Sequence, residues 1–468
     1  MFKAIFTNSF GILFSRVLGF IRDLLTASAL GASIYSDIFF VAFKLPNLFR
    51  RIFAEGAFTQ VFIPAFARSR HKAVFSVHIF LVFLSIILLI TMLVNLTPEL
   101  FTQAIAVGFD AQTIEIASPF VALNFWYLPL VFAMTFLSGM LQYKHHFATT
   151  AFATALLNLS LIAALLLSKD KAPAEIVYYL SWGVVMGGIL QLVVHIFAVY
   201  KMGLCSVLIG GVKYLSTKAS SIKTETKKFR NNFFPAVWGN STAQVSAFLD
   251  TFLASFLATG SISYLYYANR IFQLPLALFA IATSIALFPK VARYLKNNDE
   301  QKAKENLKKA FWFLAFVLSA STLGGIILAR EITWLLFQRG AFDVIDTLNT
   351  TSVLQMYMLG LLPFGIQKLF VLWLYAKEMQ KSAAKIATLS LGVYITFALA
   401  FITPFGVAGL ALASTLGGLV SFIFTIKAFG VENFFDILRS KNLLYLLVGL
   451  VVLGGLLFIL KDFLDGFI

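Results

Sequence analysis

Eleven ionisable residues of this sequence lie inside long apolar stretches. The basic ones are Arg16, Arg22, Lys44, Arg50, Arg51, Arg270 and Lys368, and the acids are Asp23, Asp37, Glu55 and Asp250. A charge at the centre of a membrane helix costs about 2.5–3.5 kcal/mol on insertion scales, so retained ones normally face a cavity and act there. Asp37, Lys44, Arg51 and Glu55 recur at i, i+7, i+14 and i+18. At about 100° per residue this keeps them on one polar stripe, and Arg51 with Glu55 also forms an i,i+4 pair. Arg16, Gly19 and Asp23 share a face of the preceding helix, where the glycine admits another backbone or a ligand. Pairing within the protein is expected to absorb Asp23, Asp250 and Glu55. It does not absorb the set, because seven bases against four acids leave an excess of positive charge. Arginine offers a rigid fork that matches phosphate and carboxylate oxygens. The chemistry expected is binding of an anionic, phosphate-bearing group in a central cavity.

Catalysis has no comparable footing. The chain carries no phosphate-binding glycine loop, and His71, His78, His145, His146 and His195 make no metal-ligand pattern. The acids are not clustered as general acid–base chemistry requires. The single Cys205 gives neither a disulfide nor a thiolate cluster. No cofactor and no metal are expected.

The elements that position these charges follow from composition. Of 468 residues, 60% are hydrophobic and only 12% charged, with a mean hydropathy of +0.87. A soluble domain carries about 25% charged residues, so this chain could not cover itself in water. It reads as an all-α polytopic membrane protein. A crossing takes about 20 apolar residues. By that measure the spans fall near 4–30, 34–66, 73–97, 113–142, 147–168 and 175–203, then 232–258, 262–290, 308–329, 352–376, 382–403, 405–427 and 442–461. The segments lack period-2 alternation, which disfavours a barrel. Pro46 is placed to kink the second span. The first apolar stretch is too long, and too charged at Arg16, Arg22 and Asp23, to be a cleaved signal.

Loop charges orient the spans. The even-numbered loops hold 24 Lys and Arg residues, whereas the odd-numbered loops and the C-terminal tail hold five, together with ten acids. This places the N-terminus and even loops in the cytoplasm and the C-terminus outside. The net charge of +16 is then a matter of topology, and a nucleic-acid partner is not expected. The longest polar stretch, 204–231, carries Lys213, Lys218, Lys223, Lys227, Lys228 and Arg230. It reads as an amphipathic cytoplasmic linker on the anionic leaflet.

That linker separates two similar halves. Gly31 and Gly260, Tyr35 and Tyr264, and Pro46 and Pro275 share one offset, and Asp23 and Asp250 precede the two glycines. Repeats that begin six spans apart have the same orientation, which implies two lobes around an axis along the membrane normal with a site between them. The organisation expected is a first lobe over 1–203, the linker over 204–231, a second lobe over 232–430 and a further span within 431–468.

Two stretches carry a resemblance. Phe14-Ser-Arg16-Val-Leu-Gly-Phe-Ile-Arg22-Asp23, and the run from Asp37 through Lys44, Pro46, Arg50 and Arg51 to Glu55 and Phe58, are similar to the N-terminal signature of the MurJ (MviN) family of bacterial lipid II flippases. That family belongs to the multidrug/oligosaccharidyl-lipid/polysaccharide exporter superfamily. Tyr266-Tyr-Ala-Asn-Arg270 with Leu274-Pro275, and Leu336-Phe-Gln-Arg339-Gly340-Ala-Phe342, extend the likeness. The resemblance implies two six-helix lobes around a cationic cavity that takes the pyrophosphate and sugar-peptide headgroup of lipid II. By motif match the cavity residues are Arg16, Arg22, Asp37, Lys44, Arg50, Arg51, Glu55 and Arg270. It also implies an inner-membrane location and contacts with cell-wall synthesis proteins. Three departures stand out. Asn269 and Gln338 occupy positions where the family often has acids, and about thirteen spans are counted where the family usually has fourteen. The last two family helices form a groove for the lipid tail, so that groove is the feature in question.

The leading reading is a lipid II flippase working by alternating access. Another lipid-linked oligosaccharide exporter is the nearest alternative. A cation-coupled drug antiporter would need an acidic cavity, and a membrane scaffold would not explain the buried charges. The topology yields a first prediction. An alkaline phosphatase fused to the C-terminus is expected to be active in intact cells. An inactive fusion, with an active cytoplasmic reporter in its place, would change the span count by one.

Overall fold

The computed structural model describes residues 2–50 and 58–467, and the chain divides into two compact units, 1–259 and 260–468. The first unit holds α1 (Phe2–Leu30), α2 (Ile34–Phe49), α3 (Thr59–Arg68), α4 (Lys72–Leu96), α5 (Pro98–Ile105), α6 (Ala111–Phe125), α7 (Tyr127–Tyr143), α8 (Ala148–Leu167) and α9 (Pro173–Lys201). It ends with α10 (Cys205–Lys218) and α11 (Lys223–Ala254). The second holds α12 (Ser261–Pro275), α13 (Ala282–Lys296), α14 (Glu300–Ile327), α15 (Ala329–Phe337), α16 (Val344–Leu359), α17 (Leu361–Ala376), α18 (Gln380–Phe429), α19 (Val431–Leu438) and α20 (Lys441–Asp465). Among the described residues there is no strand. With no water to satisfy backbone groups inside a bilayer, helices that close their own hydrogen bonds are the solution expected of this composition.

Eight of these helical segments are long and apolar enough to cross a membrane, and nine if α16 and α17, bent by 40°, form one span. The 50-residue α18 is two helices in continuation, because Gly406 breaks it with φ 54° and ψ −135°. At about 1.5 Å per residue it is roughly twice the length of one crossing. The break falls two residues after Pro404, where the sequence reading separates its eleventh and twelfth spans.

The internal repeat is visible as a repeated order of elements. In the first unit a long helix α4 is followed by the short α5, and α5 packs on α6, which also packs on α2. In the second unit α14 is followed by the short α15, which packs on α16, and α16 packs on α12. In each unit the next helix returns to its long predecessor, α7 to α4 and α17 to α14. Aspartates cap corresponding starts: Asp110 accepts the Thr113 amide at 2.8 Å, and Asp343 accepts the Asp346 amide at 2.9 Å.

The seventh expected span departs from this symmetry. α1 packs on α8, whereas α11 packs on α3 and also touches α2, α4 and α5. The cause is aromatic. Phe229 and Phe233 of α11 enter a cluster with Phe58, Phe75 and Phe83, with ring centroids 4.9 to 6.2 Å apart. Such pairs contribute about 0.5–1.5 kcal/mol each beyond the area they bury.

The linker begins with α10, which lies on α4. A Cβ on Gly211 would stand 2.3 Å from the Ala73 carbonyl oxygen, so only glycine permits this approach. Glu225 then ties the start of α11 to the loop between α3 and α4, accepting from the Ser69 hydroxyl at 2.6 Å and the Arg70 amide at 3.2 Å. Gly211→Val is therefore expected to lift α10 off α4 and to speed trypsin cleavage at Lys213 and Lys218. Gly210→Val is the matched control, since its Cβ would meet nothing nearer than 4.0 Å. Equal cleavage of the two variants would show that Gly211 does not seat the linker.

Candidate functional site

The first helix carries its charge through a partner on α8. Asn158, nearly fully buried, donates from Nδ2 to the Ser15 carbonyl at 2.9 Å and accepts from Arg22 Nη1 at 3.0 Å. Arg22 also donates from Nε (3.1 Å) and Nη2 (2.5 Å) to Asp23 Oδ1. Asp23 is only 2% exposed. A buried carboxylate without such donors would pay a desolvation penalty of several kcal/mol. The pairing expected of Asp23 is thus present, and it leaves Arg22 fixed in orientation. Gly19 is covered by the side chain of Asn158, whose Nδ2 would stand 3.3 Å from an added Cβ. The close approach expected at this glycine is taken by α8. One turn and a half before Arg22 along α1, Arg16 is exposed.

On α2, Asp37 is buried in the first turn and Lys44 is half-buried, with Pro46 inside the helix. Arg50 follows the helix end and donates to Asn47 Oδ1 from Nε at 3.2 Å and Nη2 at 2.8 Å. Arg51 and Glu55 lie outside the described residues, so the stripe is described only over Asp37 and Lys44.

In the second unit Arg270 sits on α12, one turn after Tyr266. Its guanidinium lies 4.6 Å from the Tyr266 ring centroid, and Nη2 donates to the Tyr266 hydroxyl at 2.6 Å. A cation held over an aromatic face gains about 0.5–2 kcal/mol. Asn269 supplies no carboxylate beside this arginine, and Tyr266 holds it through both its ring and its hydroxyl. The Phe337-Gln-Arg339-Gly340-Ala-Phe342 turn supports the same helix. Phe337 and Phe342 are buried with centroids 5.0 and 5.5 Å from Tyr267. Gln338 accepts from the Thr347 hydroxyl at 2.8 Å, and Arg339 is exposed.

Charge counting misses Asn158 and Tyr266, since neither is ionised within a span. The only sequence signal for Asn158 is a polar amide inside an apolar run, and for Tyr266 its i,i+4 spacing to an arginine. Among the described residues no group of three His, Cys, Asp or Glu side chains could hold a metal ion. The second unit also contains an apolar groove of about 410 Å³ between α14, α17, the second half of α18, α19 and α20, lined by Trp312, Leu362, Pro363, Phe422, Phe434 and Leu443 among others.

A helical membrane protein built twice on one order of elements, with arginines fixed on its intramembrane helices, has the fold of a polytopic exporter. An inward-facing multidrug resistance MATE family transporter of the MOP superfamily shares it, with a TM-score of 0.66 over 91% of this chain and 96% of that one; at 13% identity the likeness is one of fold. Within that class the chain belongs to the family described as lipid II flippase MurJ, whose profile matches residues 26–466. A solved lipid II flippase MurJ in an inward closed conformation superposes with a TM-score of 0.80 at 25% identity, covering 97% of each chain. A Helicobacter pylori protein named "Probable lipid II flippase MurJ" is 52% identical over 422 residues, 88% of this chain and 92% of that protein.

The Asn158 contacts generate a prediction. Hydrogen bonds to charged groups contribute about 1.5–3 kcal/mol. Asn158→Leu is expected to lower thermal stability in detergent by an amount in that range. Combined with Arg22→Leu, the total loss should be smaller than the sum of the single losses, because the two side chains share one interaction. Strict additivity would detach Asn158 from Arg22.

Proposed function

We propose that this protein moves lipid II from the cytoplasmic to the periplasmic leaflet of the inner membrane by alternating access. The observation that carries the reading is the excess of bases over acids within the spans, with eight of the eleven charges on the first two. Membership of the lipid II flippase family supports it. Arg16, Arg22, Lys44, Arg50, Arg51 and Arg270 bind the pyrophosphate and its sugar-peptide headgroup. Asp37 and Glu55 balance these charges and accept from headgroup hydroxyl and amide donors. Arg22 is pre-oriented by Asp23 and Asn158, and Arg270 by Tyr266. Pre-orientation lowers the entropy lost when a guanidinium engages an anion.

The undecaprenyl tail is carried separately. It needs only an apolar path beside the bilayer, and the groove walled by Trp312, Phe422, Phe434 and α20 has that chemistry. Headgroup binding drives the transition only if it contacts the alternative states differently. The protein is a transporter rather than an enzyme, sits in the membrane with its N-terminus in the cytoplasm, and works alongside cell-wall synthesis proteins. A drug antiporter for cationic compounds is less well supported, because the intramembrane charge is net basic.

The test is complementation of a lipid II flippase depletion strain, read by lipid II accessibility at the periplasmic face. Arg270→Ala, and Ala at Arg16 or Arg51, are expected to abolish transport at normal membrane abundance, whereas Arg22→Ala is expected to abolish it with reduced abundance, because Asp23 loses its donor. Lys keeps the charge but loses the fork, so Lys at one or more of the three first-unit positions should retain partial function. Loss of one charge-assisted bond corresponds to roughly ten- to a hundred-fold in binding. Wild-type transport by Arg270→Ala would remove that residue from the headgroup site. Low abundance of Arg51→Ala that Glu55→Ala restores would make Arg51 a structural partner.

A further inference from the structure

Lys368 is the one intramembrane cation that the headgroup assignment leaves aside. It stands in α17, eight residues before the helix ends at Ala376. At about 1.5 Å per residue that is roughly 12 Å of helix, more than a lysine stem covers by reaching along the helix to the interface. The neighbouring positions on α17 are packed. Gly365 lies against Leu318 and Ala280, the Gln367 amide donates to the Ser421 hydroxyl at 3.1 Å, and the Phe364 ring meets Phe272 at 5.8 Å. Lys368 itself is exposed, and among the described residues it has no hydrogen bond, ion pair or ring contact.

An ammonium in that position is solvated either by water in a polar path or by a bound anion. In bare hydrocarbon it would carry the full insertion penalty. Its helix is linked to the one that carries Arg270. Phe272, two residues after Arg270 and on the other face of α12, meets Phe364, one turn before Lys368 on α17, so the segments that carry the two cations touch through this aromatic pair. Between α12 and α13 the backbone passes through a π-helical segment, Leu276–Ile281, which packs on α17. Such segments are frequent at functional sites.

We infer that Lys368 is a second anion-binding residue of the 260–468 unit, taking a phosphate or carboxylate oxygen of the lipid-linked headgroup close to Arg270. This deepens the flippase reading and rests on it. A lone point charge with three rotatable donors suits an oxygen whose position changes, in contrast to the fixed fork of Arg270. The same chemistry would accept the phosphate of an ordinary anionic phospholipid, so the experiment separates the two.

The full chain, purified in detergent, is titrated with lipid II and separately with phosphatidylglycerol, for the wild type, Lys368→Met and Lys368→Arg. Lys368→Met is expected to weaken lipid II binding by about ten-fold or more, with Lys368→Arg recovering most of it. Phosphatidylglycerol affinity should not change, and the thermal midpoint of Lys368→Met should be equal or higher, because an unpaired charge has been replaced by an apolar chain of similar size. Unchanged lipid II affinity in Lys368→Met overturns the assignment, as does a loss confined to phosphatidylglycerol. A lowered thermal midpoint with normal lipid II affinity makes Lys368 a structural cation and also overturns it. Failure of the wild type to bind lipid II would overturn the flippase reading together with this one, whereas the preceding outcomes leave that reading intact.

Discussion

A guanidinium among apolar helices must find its solvation in the protein, and that requirement organises the first unit. Arg22 is held by Asp23 from its own helix and by Asn158 from α8, and Asn158 in turn closes on the Ser15 carbonyl. These bonds need α1 and α8 side by side, with Gly19 under the amide. Removing the arginine would take from a buried carboxylate the donors of Arg22, and removing the amide would take from the arginine its partner on α8. Packing and charge are therefore a single constraint here. In the second unit an aromatic face and a hydroxyl take part in the same task, with Tyr266 supplying both to Arg270.

Phenylalanine does much of the remaining work. Helices in a bilayer gain little from burying apolar surface against one another, since lipid tails are as apolar as they are, and shape matters more. The Phe58–Phe75–Phe83–Phe229 cluster fills the junction of α3, α4 and α11 with flat, interlocking rings. It explains how α11, whose first turns are rich in Lys and Arg, is retained by the first unit.

Much of this was legible in the sequence. Apolar runs located α4, α8 and α9 to within about two residues at either end, because a lipid-crossing helix is defined by length and hydropathy alone. The charge census found Arg22, Asp23 and Arg270. It did not find the residues that hold them, because a neutral amide or phenol costs little on a hydropathy scale and acquires meaning only from a neighbour far along the chain. The short helices α5, α15 and α19 also escaped, being too brief for a span and too apolar for a loop. The linker was readable as basic and helical. That it sits on α4 depends on Gly211 meeting Ala73, a contact between positions more than a hundred residues apart.

The last helix has a mechanical property of its own. α20 contains no buried residue, yet both of its ends are fastened to the second unit. At one end, the adjoining α19 is held by Lys304 Nζ on Asn433 Oδ1 at 2.8 Å and Lys308 Nζ on the Asp436 carbonyl at 3.2 Å. At the other, Lys461 bridges Glu331 on α15 at 3.3 Å and Asp465 at 3.1 Å. A free helix answers a thin or thick bilayer by tilting, at a cost of fractions of a kcal/mol per ångström. The contacts near its two ends oppose such tilting, the Lys461 pairs by about 0.2–1 kcal/mol each. Because α20 forms one wall of the apolar groove, any tilt of this helix in a thinner or thicker bilayer would change the groove's width.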